Sequence, residues 1–383
     1  MTNAPQPMMA RRWMPLCLGI AALLALLAFV PTASAARDPI ASGSTDLHMK
    51  RGFLRKLSNA GITVTGLRGG QAGGNKVGLT LRGGMLDPTD VAGHVEPQGG
   101  FKLSLGRRGV PIYGLSVNTA KGSVYATVAK AQMQFATFAA PVVRREGFGA
   151  NFKAGQLVLT EKATRRISNR LGLRQNKRLA AGRVISNLYV SAQPRTVNLL
   201  ARGSVVLTPN QATLAKFAAK GVKLPGGIAP IPPATAPSAT TLAFPISGGT
   251  IAPDGSTGTL QTIGGVQVTK QTDTLSPQMR LMNVEVNFGT RAALVELEIL
   301  PSPPFPGGAG RASIVDLTLP SGAVTTDPGA RQITIAGAEA KLQAVAATTL
   351  SSVFDQPAPA PPSSSDFVVG DPFGTFSLTA QAE

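Results

Sequence analysis

Two homologous, mainly β domains are what this 383-residue sequence predicts, each an antiparallel sandwich-like arrangement with about two short helices. Three observations carry that expectation. A glycine-proline pattern occurs twice at one spacing. Apolar and polar residues alternate along many short segments. Glycine (43) and proline (30) are abundant while aromatics form only 5% of the chain, which suits short strands joined by tight turns.

At the start of the chain, Arg11 and Arg12 form a short positive segment, Trp13 to Val30 is apolar, and Ala33-Ser34-Ala35 supplies a small-residue cleavage pattern. Residues 1–35 are therefore expected to be a secretory signal peptide, cut after Ala35. No later hydrophobic span offers a transmembrane anchor. Cys17, the only cysteine, lies inside this leader. Once it is removed, the chain has no thiol for a disulfide, a thiolate metal site or a cysteine nucleophile. Residues 36–46 read as a linker.

The repeat follows. Residues 83–100 and 248–265 share the pattern GG-x3-P-x4-G-x5-GG without a gap. Gly83, Gly84, Pro88, Gly93, Gly99 and Gly100 thus match Gly248, Gly249, Pro253, Gly258, Gly264 and Gly265. Upstream, a helix-like segment ending at Gly61 matches one ending at Gly221, with Leu54 and Leu57 aligned to Leu214 and Phe217. Downstream, a helix-like run from Ala163 to Leu173 matches one from Ala346 to Phe354, and Ala192-Gln193 matches Ala380-Gln381. The repeat is a whole domain, placed at 47–200 and 201–383. The glycines read as structural turn and bulge positions, since no Gly-Lys-Ser/Thr follows them. Ala229–Ser238 and Gln356–Ser365 read as extended proline-rich loops.

Charge separates the copies. Residues 47–200 hold 24 Lys/Arg and 5 Asp/Glu, whereas residues 201–383 hold 10 and 12. The density peaks at Arg165, Arg166, Arg170, Arg174, Lys177 and Arg178, where Arg166, Arg170 and Arg174 would share one helix face. A solvated basic face and attachment to a polyanion both explain such a run. Outside the cytoplasm the partners are anionic wall polymers, lipid headgroups or an anionic small molecule. Nucleic acid is not expected, because no aromatics interleave the run.

The order of features resembles the HtaA domain family. The resemblance rests on the helix ending in Gly-Val or Gly-Ile, on Phe244-Pro245-Ile246-Ser247-Gly248-Gly249, on Gly264-Gly265, and on the late helix before Gly370-Asp371-Pro372-Phe373-Gly374-Thr375-Phe376. It implies a β-rich, secreted, envelope-associated module of a kind that binds haem in actinobacteria, with iron held by tyrosine or histidine. The family's histidine position is Pro97 in the first copy and Thr262 in the second, and its N-terminal tyrosine motif has no match. His94 and Tyr113, both in the first copy, are the substitute haem-ligand candidates.

No catalytic motif appears, and a chain with two histidines offers few groups for acid–base work. Asp87 and Asp90 flank Pro88 as turn residues. The expectation is a non-enzymatic, secreted binding protein taking haem or another anionic ligand. The alternative is a structural or adhesive envelope protein whose basic first domain grips an anionic wall polymer. A hydrolase is the third reading.

Overall fold

The structure, a computed structural model, describes residues 37–224, 226–271, 276–301, 306–354 and 366–383. The leader, residues 1–35, and the loop at 356–365 lie outside the described residues. The first copy runs β1 (Asp38–Met49), α1 (Arg51–Asn59), β2 (Thr63–Leu67), β3 (Gln71–Gly73), β4 (Lys76–Leu86), β5 (Gly93–Gln98), β6 (Gly100–Leu105), β7 (Arg108–Asn118), β8 (Ser123–Val128), β9 (Ala131–Thr137), β10 (Val142–Glu146), β11 (Gly149–Leu159), α2 (Glu161–Leu171) and β12 (Val184–Pro194). The second repeats it element for element: β13 (Val197–Pro209), α3 (Gln211–Ala219), β14 (Ile228–Ile231), β15 (Thr235–Ser238), β16 (Thr241–Ile251), β17 (Gly258–Thr262), β18 (Gly265–Thr269), β19 (Gln278–Asn287), β20 (Ala292–Ile299), β21 (Gly308–Thr318), β22 (Val324–Asp327), β23 (Gln332–Leu342), α4 (Ala344–Phe354) and β24 (Pro372–Ala382).

Alternation builds the strands. Along β7, Val110, Ile112, Leu115 and Val117 are buried, while the residues between them face outward. In each copy eight strands close into a ring. The order is β7-β5-β4-β1-β12-β11-β9-β8 with β8 returning to β7, and β19-β17-β16-β13-β24-β23-β21-β20 with β20 returning to β19. Opposed layers of the expected antiparallel sandwich are therefore joined through their edges, which leaves few unpaired strand edges.

The sequence departs from its expected boundaries in three places. β13, which opens the second copy, starts at Val197, so the boundary expected at 200/201 falls inside that strand. Residues 38–46, read as a linker, belong to β1, which pairs with both β4 and β12. Residues 229–238, read as a loop, form most of β14 and β15 against β18 and β16.

Two glycine pairs of the repeated pattern show why the residue type recurs. Gly99 and Gly264 have φ +95° and +84°, and a Cβ there would stand 2.7 Å from the Gly70 nitrogen and 2.6 Å from the Ala234 nitrogen. Gly84 and Gly249 are also at positive φ, where a Cβ would collide with the carbonyls of His94 and Thr259. Pro88 lies in the β4–β5 turn, whose carbonyl accepts from Arg145 Nε at 2.6 Å.

The copies join at the ends of the rings remote from the helices. Asn198 of β13 donates to Asp38 Oδ1 through its backbone N–H (3.2 Å) and through Nδ2 (2.8 Å). Arg331 stands 3.8 Å from Asp38 Oδ2 and donates to the Gly147 carbonyl at 3.3 Å. Phe148, in the β10–β11 turn of the first copy, is buried in the core of the second. Burial pushes the Asp38 carboxyl up to about 6, against the lowering pull of Asn198 and Arg331.

Candidate functional site

Positive charge gathers at the helix-bearing end of the first ring from five segments. α1 supplies Arg51, Arg55 and Lys56; the β6–β7 turn supplies Arg107 and Arg108; the β8–β9 turn supplies Lys130. α2 adds Lys162, Arg165 and Arg170, and the loop after it adds Arg174, Lys177, Arg178 and Arg183. The strands around the ring run antiparallel, so these turns and helices emerge at the same end.

Local chemistry orients the segments. Thr160 Oγ1 accepts from the Ala163 N–H at 3.2 Å and starts α2. Ala163, Ile167 and Leu171, four apart, are buried, which turns Lys162, Arg165 and Arg170 outward. Gly172, at φ +68°, ends the helix, and Leu173 N–H returns to the Ser168 carbonyl at 3.0 Å. Arg108 Nη1 donates to the Leu171 carbonyl at 3.5 Å, which ties the β6–β7 turn to the helix end. The following loop folds back through the Leu179 N–H to Ser168 Oγ (3.3 Å) and the buried Leu179 side chain, leaving Arg174, Lys177 and Arg178 exposed.

The five segments hold one carboxylate, Glu161, which pairs with Arg165. Asp87 and Asp90 lie at the opposite end and accept from the backbone N–H groups of Thr89 (2.7 Å) and Ala92 (2.6 Å), as turn residues do.

The structure corrects the expected arginine face. Because α2 stops at Leu171, Arg174 lies beyond it and cannot continue the row of Arg166 and Arg170. Arg166 is turned inward, donating through Nε and Nη2 to the carbonyls of Val128 and Ala129, both at 2.8 Å. It fixes the β8–β9 turn that presents Lys130, and is a positioning group for the cap.

The equivalent end of the second copy is chemically different. Lys216 pairs with Asp371 and Lys220 with Asp366, both at 2.5 Å, and α4 carries no charged residue. Beneath α4 lies a pocket with about 50 Å³ of free space, walled by apolar side chains that include Phe217, Val266, Ile314 and Leu350. Its counterpart in the first copy holds about 10 Å³. Strand register gives the reason: Phe101 and Phe135, 6.3 Å apart, occupy the positions of Val266 and Ile314.

His94 and Tyr113 are not brought together. His94 pairs with Asn118 and Tyr113 with Gly100, and five residues of β7 separate those registers, roughly 15 Å at the rise of a strand. Arg68 covers the Tyr113 ring at 3.8 Å. The second pocket has no histidine, tyrosine or cysteine in its wall. The residues present therefore do not fit ligation of a haem iron by the candidate pair. Among the described residues no cluster of three or more His, Cys, Asp or Glu could hold a metal ion. The histidine–tyrosine contact that does exist, His48 against Tyr189 at 4.7 Å, joins residues 141 apart in sequence and was not legible there.

No family model matches the sequence, and no curated protein matches it. Among solved structures, the N-terminal domain of HtaA from Corynebacterium glutamicum is similar at 14% identity and TM-score 0.33, over 48% of this chain and 99% of that one. The C-terminal domain of the same protein is similar at 13% identity and TM-score 0.32, over 40% of this chain and 98% of that one. These likenesses are slight; the two-copy architecture stands on the strand register of the chain itself. No helix among the described residues is long and apolar enough to cross a membrane.

Proposed function

We propose that this chain is an exported, non-catalytic binding protein of the cell envelope, and that the helical end of its first copy attaches to an anionic polymer. The observation that carries the reading is the convergence of five cationic segments around a single carboxylate. Such a field raises the local concentration of a polyanion and holds it by many screened contacts instead of one deep site. The exported location rests on the leader-like residues 1–35.

The test is retention of the mature chain on immobilised polyphosphate across a salt series. Reversing Arg170, Arg174, Lys177 and Arg178 to glutamate should weaken retention at 0.1 M salt by about 100-fold and flatten its salt dependence. Unchanged retention in that variant would sink the proposal.

A further inference from the structure

A second surface on the first copy has a different chemistry. Outward-facing residues of five adjacent strands fall into register across the sheet. Lys153 on β11 lies opposite Tyr189 on β12, Tyr189 opposite Asp46 on β1, Asp46 opposite Gly78 on β4, and Gly78 opposite Gln71 on β3. The next row places His48 between Asn187 and Lys76. The His48 and Tyr189 rings touch at 4.7 Å, and Lys153 Nζ stands 5.5 Å from the Tyr189 ring centroid. Gly78 has no side chain, so the row dips there into a shallow trough edged by Ser44, Asp46, Gln71, Lys76 and Thr80.

We propose that this face binds a neutral polysaccharide strand lying across β11, β12, β1, β4 and β3. A sugar ring has an apolar C–H face and a rim of hydroxyls that both donate and accept. The surface offers the complement: a half-buried tyrosine ring to take the C–H face, and planar carboxylate and amide groups to take hydroxyl pairs. Among the described residues, no protein group hydrogen-bonds the side chains of Ser44, His48, Gln71, Asn187 or Tyr189. The five strands span about 19 Å at the usual strand spacing, room for a short run of rings.

Charge argues against a polyanion here. Lys76 is paired with Asp46 at 3.0 Å, which leaves Lys153, among the described residues, as the one cation of these rows without a carboxylate partner, against the many that crowd the helical end. Position by position, the second copy lacks the feature. Val206, Ser377, Ala243 and Thr235 replace Asp46, Tyr189, Gly78 and Gln71, so neither the ring, the carboxylate nor the dip recurs. The same backbone therefore does not require these residues.

The inference is independent of the polyanion reading, and 1 M NaCl separates the two, because the screening length there is only about 3 Å. The mature chain would be passed over surfaces of immobilised glucan, mannan, galactan and arabinan in that salt. We expect retention on at least one, weakened tenfold or more by Tyr189→Ala and by Gln71→Ala, and kept by Tyr189→Phe. Polyphosphate retention at low salt should be the same in Tyr189→Ala as in wild type, and a thermal unfolding midpoint close to that of wild type shows that the variant folds. No retention on any of the four surfaces would overturn the proposal, as would retention that neither alanine variant changes.

Discussion

The helical ends of the two copies share one backbone and little else. In the first, cations crowd the surface and Phe101 and Phe135 fill the space beneath; in the second, lysines are paired with aspartates and Val266 and Ile314 leave the space open. The ring of strands sets where an end is. Which property that end carries is decided by side chains that the ring tolerates at turns, helix faces and inner positions.

The largest effect that would sharpen this contrast concerns packing. Phe135→Ala should cost about 3–5 kcal/mol, because a ring in a filled core leaves a cavity. Ile314→Ala at the matching position should cost less, nearer 2 kcal/mol, because that pocket is already open. Chemical denaturation of each variant checks this, and equal losses would break the comparison of the two interiors.

A smaller effect concerns the seam. A carboxyl held near 6 binds its proton more tightly in the folded chain than at its unfolded value of 3.8. Its contribution is therefore full below about pH 4 and lost as pH rises through about 6. Lowering the pH from 7 to 5 should add about 1 kcal/mol of stability through this group, and Asp38→Asn should remove that gain. A variant with the wild-type pH profile would show that the seam is not what titrates.

The smallest expected effect is at the two haem-ligand candidates. A haemin titration should give an absorbance spectrum that neither His94→Ala nor Tyr113→Ala alters, since His94, on β5, lies opposite Asn118, five residues along β7 from Tyr113. A saturable band lost in either variant would restore that residue as a ligand.

Much of the architecture was legible because the repeated glycines answer to the backbone. Positions such as Gly99 and Gly264 admit no Cβ, so the pattern survives where the rest of the sequence has drifted. β1 was not legible, since Asp38–Asp46 is rich in small polar residues and is held as a strand by its two neighbours. The basic run was visible, but its shape was not. Helical spacing could not reveal the stop at Gly172 or the inward turn of Arg166. Nor could it reveal the turns at Arg107 and Lys130 that complete the cap, because they come from distant sequence. The row through Tyr189 and Asp46 depends on pairings between segments more than a hundred residues apart.

The seam also brings the two ends of the described chain together. Asn198 hydrogen-bonds Asp38 on one side and accepts from the Glu383 N–H at 2.9 Å on the other. Both helical ends point away from that waist. A tether fused before Asp38 or after Glu383 would therefore grip the molecule at its middle and leave the cationic end and the apolar end free at once. Two ligands could then be offered together without the support shielding either.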